Sequence, residues 1–241
     1  MRAIILAAGS AKRLRPLTDD RPKCMLEVGG SPILDHQLAA LAAIGVSQVV
    51  VVVGWHAETF RPFEGRITTV VNEVHETTNS LYSFWLAGEH LDDDLLLLNS
   101  DVLFGRDLLD LLVACEAPDA LLVDTDASLD AEAMKVEVRD GRVTAMSKEL
   151  EAGRSSGENL GVIKLSRAGA RDLWQAAERA VKHGRLKAWL PYGIDAICRK
   201  REFVALSCGE RPWIEIDTPA DLERAEREIL PRLVRRQPGS G

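Results

Sequence analysis

Short apolar runs along the chain predict the strands of a buried sheet. Residues 2–8 and 49–53 are almost wholly apolar, and a glycine follows each run. An apolar run without alternation is typical of a strand covered on both faces, as in a parallel sheet. Between the runs, Ser31 and Pro32 precede apolar residues at helical spacing. We therefore expect a helix that is capped by Ser31, starts at Pro32 and closes at Gly45, which completes a βαβ unit.

The rest of the chain continues this succession of strands and helices. Alternating apolar positions around Asp140 and Gly141 predict a β-hairpin with a tight turn. Further strands are predicted over residues 67–71, 95–98, 120–123, 160–165, 203–206 and 213–216, and further helices over residues 80–91, 107–115, 167–182, 190–199 and 220–229. The pattern predicts an α/β fold, a single Rossmann-like domain with a mixed, mostly parallel central sheet flanked by helices. This domain is expected to span residues 1–230, with a flexible C-terminal tail over residues 231–241.

Composition and charge exclude several classes of protein. Of the 241 residues, 46% are apolar and 28% are charged, a balance typical of a folded globular protein. No apolar run approaches the ~18 residues of a membrane span, and the first run passes directly into Lys12, Arg13 and Arg15. We therefore expect a cytoplasmic protein without a membrane partner. With 30 basic and 37 acidic residues, the formal net charge is −7, which argues against a nucleic-acid partner.

The cysteines and histidines show no spacing that predicts chemistry. The four cysteines lie far apart without a CxxC pair, so buried thiols are expected rather than a zinc site or a disulfide framework. The five histidines form no metal-ligand pattern, and surface or core roles are expected for them: His36, His56, His75, His90 and His183.

The loop after the first strand combines a glycine with several cations. Gly9 and Ser10 follow the apolar run, and Lys12, Arg13 and Lys23 come soon after. A turn that leaves a parallel strand exposes backbone N–H groups to which phosphates can bind, and nearby cations neutralise them. The pattern therefore indicates a polyphosphate site, although a solvated basic loop would have the same composition. It is neither a P-loop nor a dinucleotide fingerprint.

Carboxylates follow two of the predicted strands. Asp101 comes just after the strand over residues 95–98, and Glu215 and Asp217 lie at the end of the strand that begins at Trp213. Strand ends of this kind can converge at one edge of a sheet, and carboxylate oxygens near phosphates suit Mg²⁺. The alternative is that Asp101 and Asp217 only cap turns or helices.

These motifs together resemble a known family. They are LAAG at residues 6–9, Arg13-Leu14, Pro22-Lys23, the strand end at Asp101, Lys148, GENLG at residues 157–161 and WIEIDTPADL at residues 213–222. In their order the chain resembles the nucleotidyltransferases that activate sugar phosphates and phosphocholine, which implies the nucleotide-diphospho-sugar transferase fold. Family members usually carry a second glycine where this chain has Ala11, whose methyl group should fit if the local backbone has a negative φ.

Three stretches make the chain most similar to one branch of that family. They are RPKCMLEVGG at residues 21–30, ETTNSLYS at residues 76–83 and WIEID at residues 213–217. The branch comprises small cytidylyltransferases that act on phosphocholine, aminoalkylphosphonates or polyol phosphates. The resemblance therefore implies that CTP and a small phosphate or phosphonate acceptor are the substrates, and that Mg²⁺ is the cofactor.

The resemblance also implies a role for each motif residue. The triphosphate would lie over the loop formed by Leu6, Ala7, Ala8, Gly9 and Ser10, with Asn79 and Ser80 near the base. Asp101 and Asp217 would bind the metal, with Glu215 a third ligand or a neighbour that faces the acceptor. Arg13 and Lys23 would neutralise phosphate charge, and Lys148 would meet the acceptor's phosphate. No general base is needed, because the attacking phosphate oxygen is already an anion.

The acceptor pocket is the least defined part of this interpretation. Trp189, Tyr192 and Trp213 come from segments that border that pocket in the family, and with Asp195 they could hold an ammonium group. Glu158 would hydrogen-bond to polar groups of the acceptor. Core packing remains the alternative for the three aromatic residues.

Two other functions remain open from the sequence alone. One is a sugar-1-phosphate uridylyl-, thymidylyl- or guanylyltransferase, which shares the first and last motifs. The other is a catalytically silent nucleotide-binding subunit. A homodimer is compatible with the family, but no residue of this chain establishes it.

Overall fold

The computed structural model describes residues 1–236, which form strands and helices close to the predicted ranges. The strands are β1 (Arg2–Ala7), β2 (Glu27–Val28), β3 (Ser31–Pro32), β4 (Val49–Val53), β5 (Thr68–Val71), β6 (Leu95–Asn99), β7 (Val102–Phe104), β8 (Asp119–Asp124), β9 (Lys135–Arg139), β10 (Arg142–Ser147), β11 (Gly157–Leu165), β12 (Phe203–Ser207) and β13 (Trp213–Glu215). The helices are α1 (Ile33–Ala43), α2 (Ser80–Leu86), α3 (Arg106–Ala114), α4 (Arg167–Lys182), α5 (Leu190–Cys198), α6 (Pro219–Arg224) and α7 (Leu230–Arg236).

A central sheet of nine strands organises the described chain. Its order is β5-β4-β1-β6-β11-β8-β12-β10-β9, and β1 pairs in parallel with both β4 and β6. The pairings leave β10 and β11 antiparallel to the other seven strands, so the sheet is mixed with most strands in one direction. The α/β fold with a mixed sheet is confirmed.

Side chains of β1 alternate between two hydrophobic layers. Ala3, Ile5 and Ala7 face the layer that contains apolar residues of α1 and α3. Ile4 and Leu6 face the layer that contains apolar residues of α2, α4 and α5. Because both faces of the strand are covered, its sequence contains no polar position between Ala3 and Ala7.

A third, smaller hydrophobic cluster lies beneath the C-terminal helices. It joins apolar residues of the β2–β3 hairpin and of the antiparallel pair β7–β13 to residues that follow α6. The pairing of β7 with β13 brings the chain after β6 next to the chain that ends β13. Two segments more than 100 residues apart in sequence therefore lie side by side.

The first helix starts one residue later than predicted. Ser31 and Pro32 form β3, which pairs with β2, and α1 begins at Ile33 without a side-chain cap at its N-terminus. The cause is the pair Gly29 and Gly30, whose φ values of 62° and 80° form the tight turn of a hairpin. Ser31 and Pro32, which predicted a helix start, therefore lie within a strand.

Two other predicted helices end differently. The helix predicted over residues 80–91 stops at Leu86 and is followed by a separate 3₁₀ turn at Gly88–His90. The last helical segment continues through a π turn at Ala225–Ile229 into α7. Residues 231–236 therefore belong to a helix rather than to the expected flexible tail, and Leu233 is buried with 7% exposure. The remainder of that predicted tail, residues 237–241, lies outside the described residues.

Within residues 1–236, none of the helices has both the length and the hydrophobicity needed to cross a bilayer.

Candidate functional site

A cavity of about 290 Å³ opens at the carboxyl ends of β1 and β6. In sheets of this kind, ligands bind beyond the carboxyl ends of the strands. Most of the predicted site residues line it: Leu6, Ala7, Ala8, Gly9, Arg13, Lys23, Asn79, Ser80, Asp101, Lys148, Trp189, Glu215 and Asp217. The predicted residues outside the lining are Ser10, Glu158, Tyr192, Asp195 and Trp213.

The loop after β1 departs from the expected backbone conformation at one position. Ala11 has a φ of 43° and lies in the left-handed region, so the condition of a negative φ is not met. A non-glycine residue costs roughly 1–2 kcal/mol in that conformation. The Thr18 hydroxyl and the Leu14 N–H both donate to the Ala11 carbonyl, at 2.9 and 3.0 Å. These bonds help to hold Ala11 in a conformation that glycine would adopt more readily.

Three carboxylates converge at one side of the cavity. Asp101, Glu215 and Asp217 each offer an oxygen, and these oxygens lie within 4.8 Å of one another. The β7–β13 pair positions Glu215 opposite Val102, and the Ile216 N–H donates to the Asp101 carbonyl at 2.9 Å. The tertiary structure thus brings together the two acidic segments that the sequence pattern singled out.

The beginning of α6 fixes the backbone of Asp217. Thr218 and Asp221 form a capping box, in which the Asp221 carboxylate accepts from the Thr218 N–H at 2.8 Å. The same carboxylate accepts from the Asp217 N–H at 3.1 Å. A capping box satisfies the free N–H groups of a helix start. Asp221 therefore caps the helix, which leaves the Asp217 side chain available to the cavity.

Two cations of the chain neutralise part of this cluster. Lys23 Nζ donates to Asp101 Oδ2 at 2.8 Å and also to Asp217 Oδ1. Arg13 Nη2 donates to Asp217 Oδ2 at 2.7 Å. Burial alone would lower the pKa of Lys23, but Asp101 and Asp217 raise it above its ordinary value, so the lysine is protonated.

Glu215 is the third carboxylate of this cluster, and it is largely buried. Its burial, together with the charges of Asp101 and Asp217, raises the pKa of Glu215 to about 8, although Lys23 opposes the shift. Within the described chain, the buried Asp101 Oδ1 also has no hydrogen-bond partner. Three close carboxylates with an unpartnered oxygen are the donor set of a hard divalent cation. The residues at this position therefore fit Mg²⁺.

The opposite side of the cavity is formed by the segment from the end of β5 to α2. Asn72 is buried, and its Nδ2 donates to Thr78 Oγ1 at 3.0 Å and to Ser83 Oγ at 3.1 Å. Asn79 caps α2 by accepting from the Ser80 N–H at 2.8 Å. Ser80 Oγ accepts from the backbone N–H that begins α5, also at 2.8 Å. These bonds hold the segment rigidly beside the cavity.

Several polar lining residues were missed by the sequence analysis. Asn72, His75, Glu132 and Asn159 all line the cavity. His75 therefore lies at the site, although the histidine spacing gave no sign of it. The first two belong to the segment that carries Asn79, and Asn159 lies in the GENLG motif, so nearby motifs could have indicated them. Glu132 lies in an irregular segment remote from any motif.

Lys148 links the remaining groups at the outer part of the cavity. Its Nζ donates to Glu132 Oε2 at 3.1 Å and lies 5.4 Å from the ring centroid of Trp189. Glu132 also approaches Arg13, with 3.6 Å between Oε2 and Nη1. Lys148 thus lies over one face of the Trp189 ring.

The structure does not bring the four predicted cage residues together in the lining of the cavity. The Arg185 guanidinium covers the ring of Tyr192 at 5.4 Å, and Trp213 Nε1 donates to Asp124 Oδ2 at 2.9 Å. Asp195 is engaged by Arg199 at 3.1 Å. Of the four predicted members, only Trp189 lines the cavity, because each of the others has a partner elsewhere in the described chain.

Glu158 is also placed away from the predicted acceptor pocket. It lies in β11 opposite Asp124 of β8 and does not line the cavity that the structure describes. Burial, together with Asp130 and Asp124, raises its pKa above the ordinary value. Asn159, Gly161 and Ile163 of the same strand line the cavity, and Glu158 lies on the other face because side chains alternate along a strand.

Comparison with known proteins gives a consistent family match. The family model described as a MobA-like NTP transferase domain matches residues 3–193. CMP-5'-(3-aminopropyl)phosphonate synthase of Streptomyces rubellomurinus is 31% identical over 96% of this chain and 39% of its own length. The bifunctional IPC transferase and DIPP synthase of Aquifex aeolicus is 25% identical over 97% of this chain and 53% of its own length. The chain therefore spans about half or less of these two curated relatives.

A shorter relative and a solved structure extend the comparison. CTP:phosphoglutamine cytidylyltransferase of Campylobacter jejuni is 27% identical over 69% of this chain and 73% of its own length. The inositol-1-phosphate CTP transferase of T. maritima superposes with a TM-score of 0.82 and 24% identity, covering 99% of this chain and 98% of that one. At that identity, the structural match shows the fold alone.

Proposed function

The chain belongs to the family of MobA-like NTP transferase domains, and on that premise we propose that it transfers CMP from CTP to a small phosphate or phosphonate acceptor. Pyrophosphate is the second product. The observation that carries the proposal is the cavity at the carboxyl end of β1, where Lys23 and Arg13 meet the carboxylates of Asp101 and Asp217. The names of two relatives, CMP-5'-(3-aminopropyl)phosphonate synthase and CTP:phosphoglutamine cytidylyltransferase, support cytidine as the nucleotide and a non-sugar acceptor.

The nucleotide would occupy the part of the cavity between β1 and α2. Its triphosphate would lie on the loop Leu6, Ala7, Ala8 and Gly9, and its base beside Asn79 and Ser80, all of which line the cavity. Gly9 supports this placement, because a Cβ atom there would meet nothing within 4 Å, so the space above the loop is open. Ser10 belongs to the same loop and would contribute its backbone.

Asp101, Asp217 and Glu215 would hold Mg²⁺. The close approach of their oxygens and the unpartnered Asp101 Oδ1 of the described chain support this assignment. Mg²⁺ bound there would supply positive charge next to the phosphates of the nucleotide. Asp101 and Asp217 are the main ligands in this proposal, and Glu215 completes the set.

The reaction itself requires positioning rather than proton transfer. An anionic oxygen of the acceptor attacks the α-phosphorus in line, the bond from that phosphorus to the bridging oxygen breaks, and pyrophosphate leaves with the electron pair. Arg13 and Lys23 stabilise the charge that develops on the phosphates. Lys148 would hold the phosphate or phosphonate of the acceptor at the outer part of the cavity.

Fewer residues are proposed to contact the acceptor than the sequence implied. Trp189 and Lys148 remain candidates because both line the cavity. Glu158, Tyr192, Asp195 and Trp213 are not proposed to contact the acceptor: these four lie outside the lining formed by the described residues.

The proposed catalytic unit extends beyond the matched family segment. That segment ends at residue 193, whereas Glu215 and Asp217 follow it and complete the carboxylate cluster. We therefore propose that the nucleotidyltransferase unit includes the residues through α7, whose Leu233 is buried against the same cluster of apolar residues as Ile214 and Ile216.

Pyrophosphate release measures this function directly. The full chain is assayed with Mg²⁺, with CTP, UTP, dTTP or GTP in turn, and with phosphocholine, aminoethylphosphonate, polyol phosphates or sugar 1-phosphates. We expect release with CTP and a non-sugar acceptor. Release only with another triphosphate and a sugar 1-phosphate would assign the chain to the sugar branch. Triphosphate binding without release from any pair would instead favour a silent nucleotide-binding subunit.

A further inference from the structure

The carboxylate cluster already contains a cation that belongs to the chain. Lys23 Nζ lies between Asp101 and Asp217 and donates to both, and the lysine side chain is only 13% exposed. We propose that Lys23 is a displaceable counter-ion, which keeps divalent metal out of the cluster until a triphosphate draws its ammonium group away. This inference rests on the proposed function, because it takes the triphosphate as the ligand that releases Lys23.

A divalent metal and the Lys23 ammonium group cannot share these oxygens. Mg²⁺ binds carboxylate oxygens at about 2.0–2.1 Å, and Lys23 Nζ lies 2.8 Å from Asp101 Oδ2. An ion bound to Asp101 and Asp217 would therefore lie within a few ångströms of Nζ. Two positive charges at such a short distance repel each other strongly where water is largely excluded. Metal binding at the cluster therefore requires the ammonium group to leave.

Movement of the Lys23 ammonium group out of the cluster is unfavourable unless another cation replaces it. If Lys23 left alone, the carboxylates of Asp101 and Asp217 would repel each other. Only Arg13 would still neutralise them, through its 2.7 Å contact with Asp217 Oδ2. A buried charge that loses its partner is strongly destabilised. The exchange is favourable only when a metal enters and Lys23 gains a new anion at the same time.

The triphosphate would supply that new anion. Lys23 and Arg13 line the same cavity as the Gly9 loop, on which the triphosphate is proposed to lie. The lysine side chain is a flexible four-carbon stem, so its ammonium group can turn towards phosphate oxygens without movement of the backbone. Metal and triphosphate should therefore strengthen each other's binding, and Lys23 should set the size of this coupling.

Binding of Mn²⁺ alone tests the proposal without any turnover. Mn²⁺ is titrated into the unaltered 241-residue chain and into Lys23→Met without nucleotide, and free Mn²⁺ is followed by electron paramagnetic resonance. We expect Lys23→Met to bind Mn²⁺ at least about tenfold more tightly than the wild type, because the competing charge is gone. With a non-transferable α,β-methylene analogue of CTP, corrected for Mn²⁺ bound by the free analogue, the difference between the two proteins should shrink.

Lys148→Met is the matched control. It removes the same charge from the same cavity, but in this structure Lys148 pairs with Glu132 rather than with the carboxylate cluster. Its affinity for Mn²⁺ should stay within about twofold of the wild type. Thermal unfolding by circular dichroism establishes that each variant is folded at the temperature of the titration.

Two results would overturn the proposal. One is a folded Lys23→Met that binds Mn²⁺ no more tightly than the wild type, and the other is an equal gain in Lys148→Met. Neither result depends on transfer, because the titration contains no acceptor. Absence of pyrophosphate release in the activity assay would instead count against the proposed function and would leave the Mn²⁺ result to be judged by itself.

Discussion

The cavity has two parts that are built in different ways. In the inner part, Lys23 is 13% exposed and bridges carboxylates that follow β6 and β13. In the outer part, Lys148 is 33% exposed and its carboxylate partner Glu132 is 68% exposed. The inner groups are thus shielded from water, whereas the outer groups lie at the surface.

This difference separates chemistry from selectivity. Ion pairs at the surface contribute about 0–1 kcal/mol each, while shielded charges interact more strongly and cannot lose a partner cheaply. The inner part lies next to the sheet. It would support attack on the α-phosphorus, which is the step common to all nucleotidyltransferases. The outer part, which includes irregular segments and the start of α5, can change its side chains without disturbing the sheet, and would select the acceptor.

Asp217→Asn should show the largest effect, because it removes charge from the inner part. We expect turnover to fall by at least about a hundredfold, since an amide is a weak ligand for Mg²⁺. The fold should persist, because the volume hardly changes and the capping box of Thr218 with Asp221 remains. Pyrophosphate release and thermal unfolding measure the two quantities.

The control for that variant is Asp195→Asn. It makes the same chemical change at a residue outside the cavity, where Arg199 and the Met146 N–H donate to the carboxylate. Turnover of this control should match the wild type. Near-normal turnover in Asp217→Asn would show that the inner part does not hold the metal.

Lys148→Met should have an intermediate effect that is confined to the acceptor. A charge-assisted hydrogen bond to a phosphate contributes about 1.5–3 kcal/mol, and the exposure of Lys148 favours the lower value. We therefore expect the KM for the acceptor to rise about tenfold while the KM for CTP stays unchanged. Lys182→Met, on the exposed face of α4, serves as the control with no expected change. An equal rise in both KM values would contradict the division into two parts.

Trp189→Leu should have the smallest effect. Trp189 is 54% exposed, and a cation–π contact at an exposed site contributes about 0.5–1 kcal/mol. The KM for an acceptor that carries an ammonium group should rise about two- to fivefold, with no change for a polyol phosphate. Tyr192 lies outside the cavity, so Tyr192→Leu should change the KM of neither acceptor. If Tyr192→Leu proves the more damaging variant, the acceptor occupies a different surface.

Local patterns predicted the framework of the sheet. The apolar run of β1 is buried on both faces as expected, α4 spans the predicted residues 167–182, and the Asp140-Gly141 turn joins β9 to β10. These features were predictable because a buried strand or helix face requires apolar residues at regular spacing in the sequence.

Errors arose where two local signals competed. Ser31 and Pro32 carry a helix-start signal, but the turn at Gly29 and Gly30 pairs them with β2 instead. Ala11 occupies a left-handed conformation without being glycine. In both places hydrogen bonds to other parts of the chain outweigh the preference of the residue itself.

The amino-acid sequence by itself determined the class of fold and the position of Asp101 and Asp217 near strand ends, because both follow from short-range patterns. Only the tertiary structure decided which groups meet these carboxylates. It brought Lys23 and Arg13 onto them, added His75 and Glu132 to the cavity, and turned Trp213 towards Asp124. The physical reason is that the direction of a side chain depends on elements packed against it from distant parts of the chain.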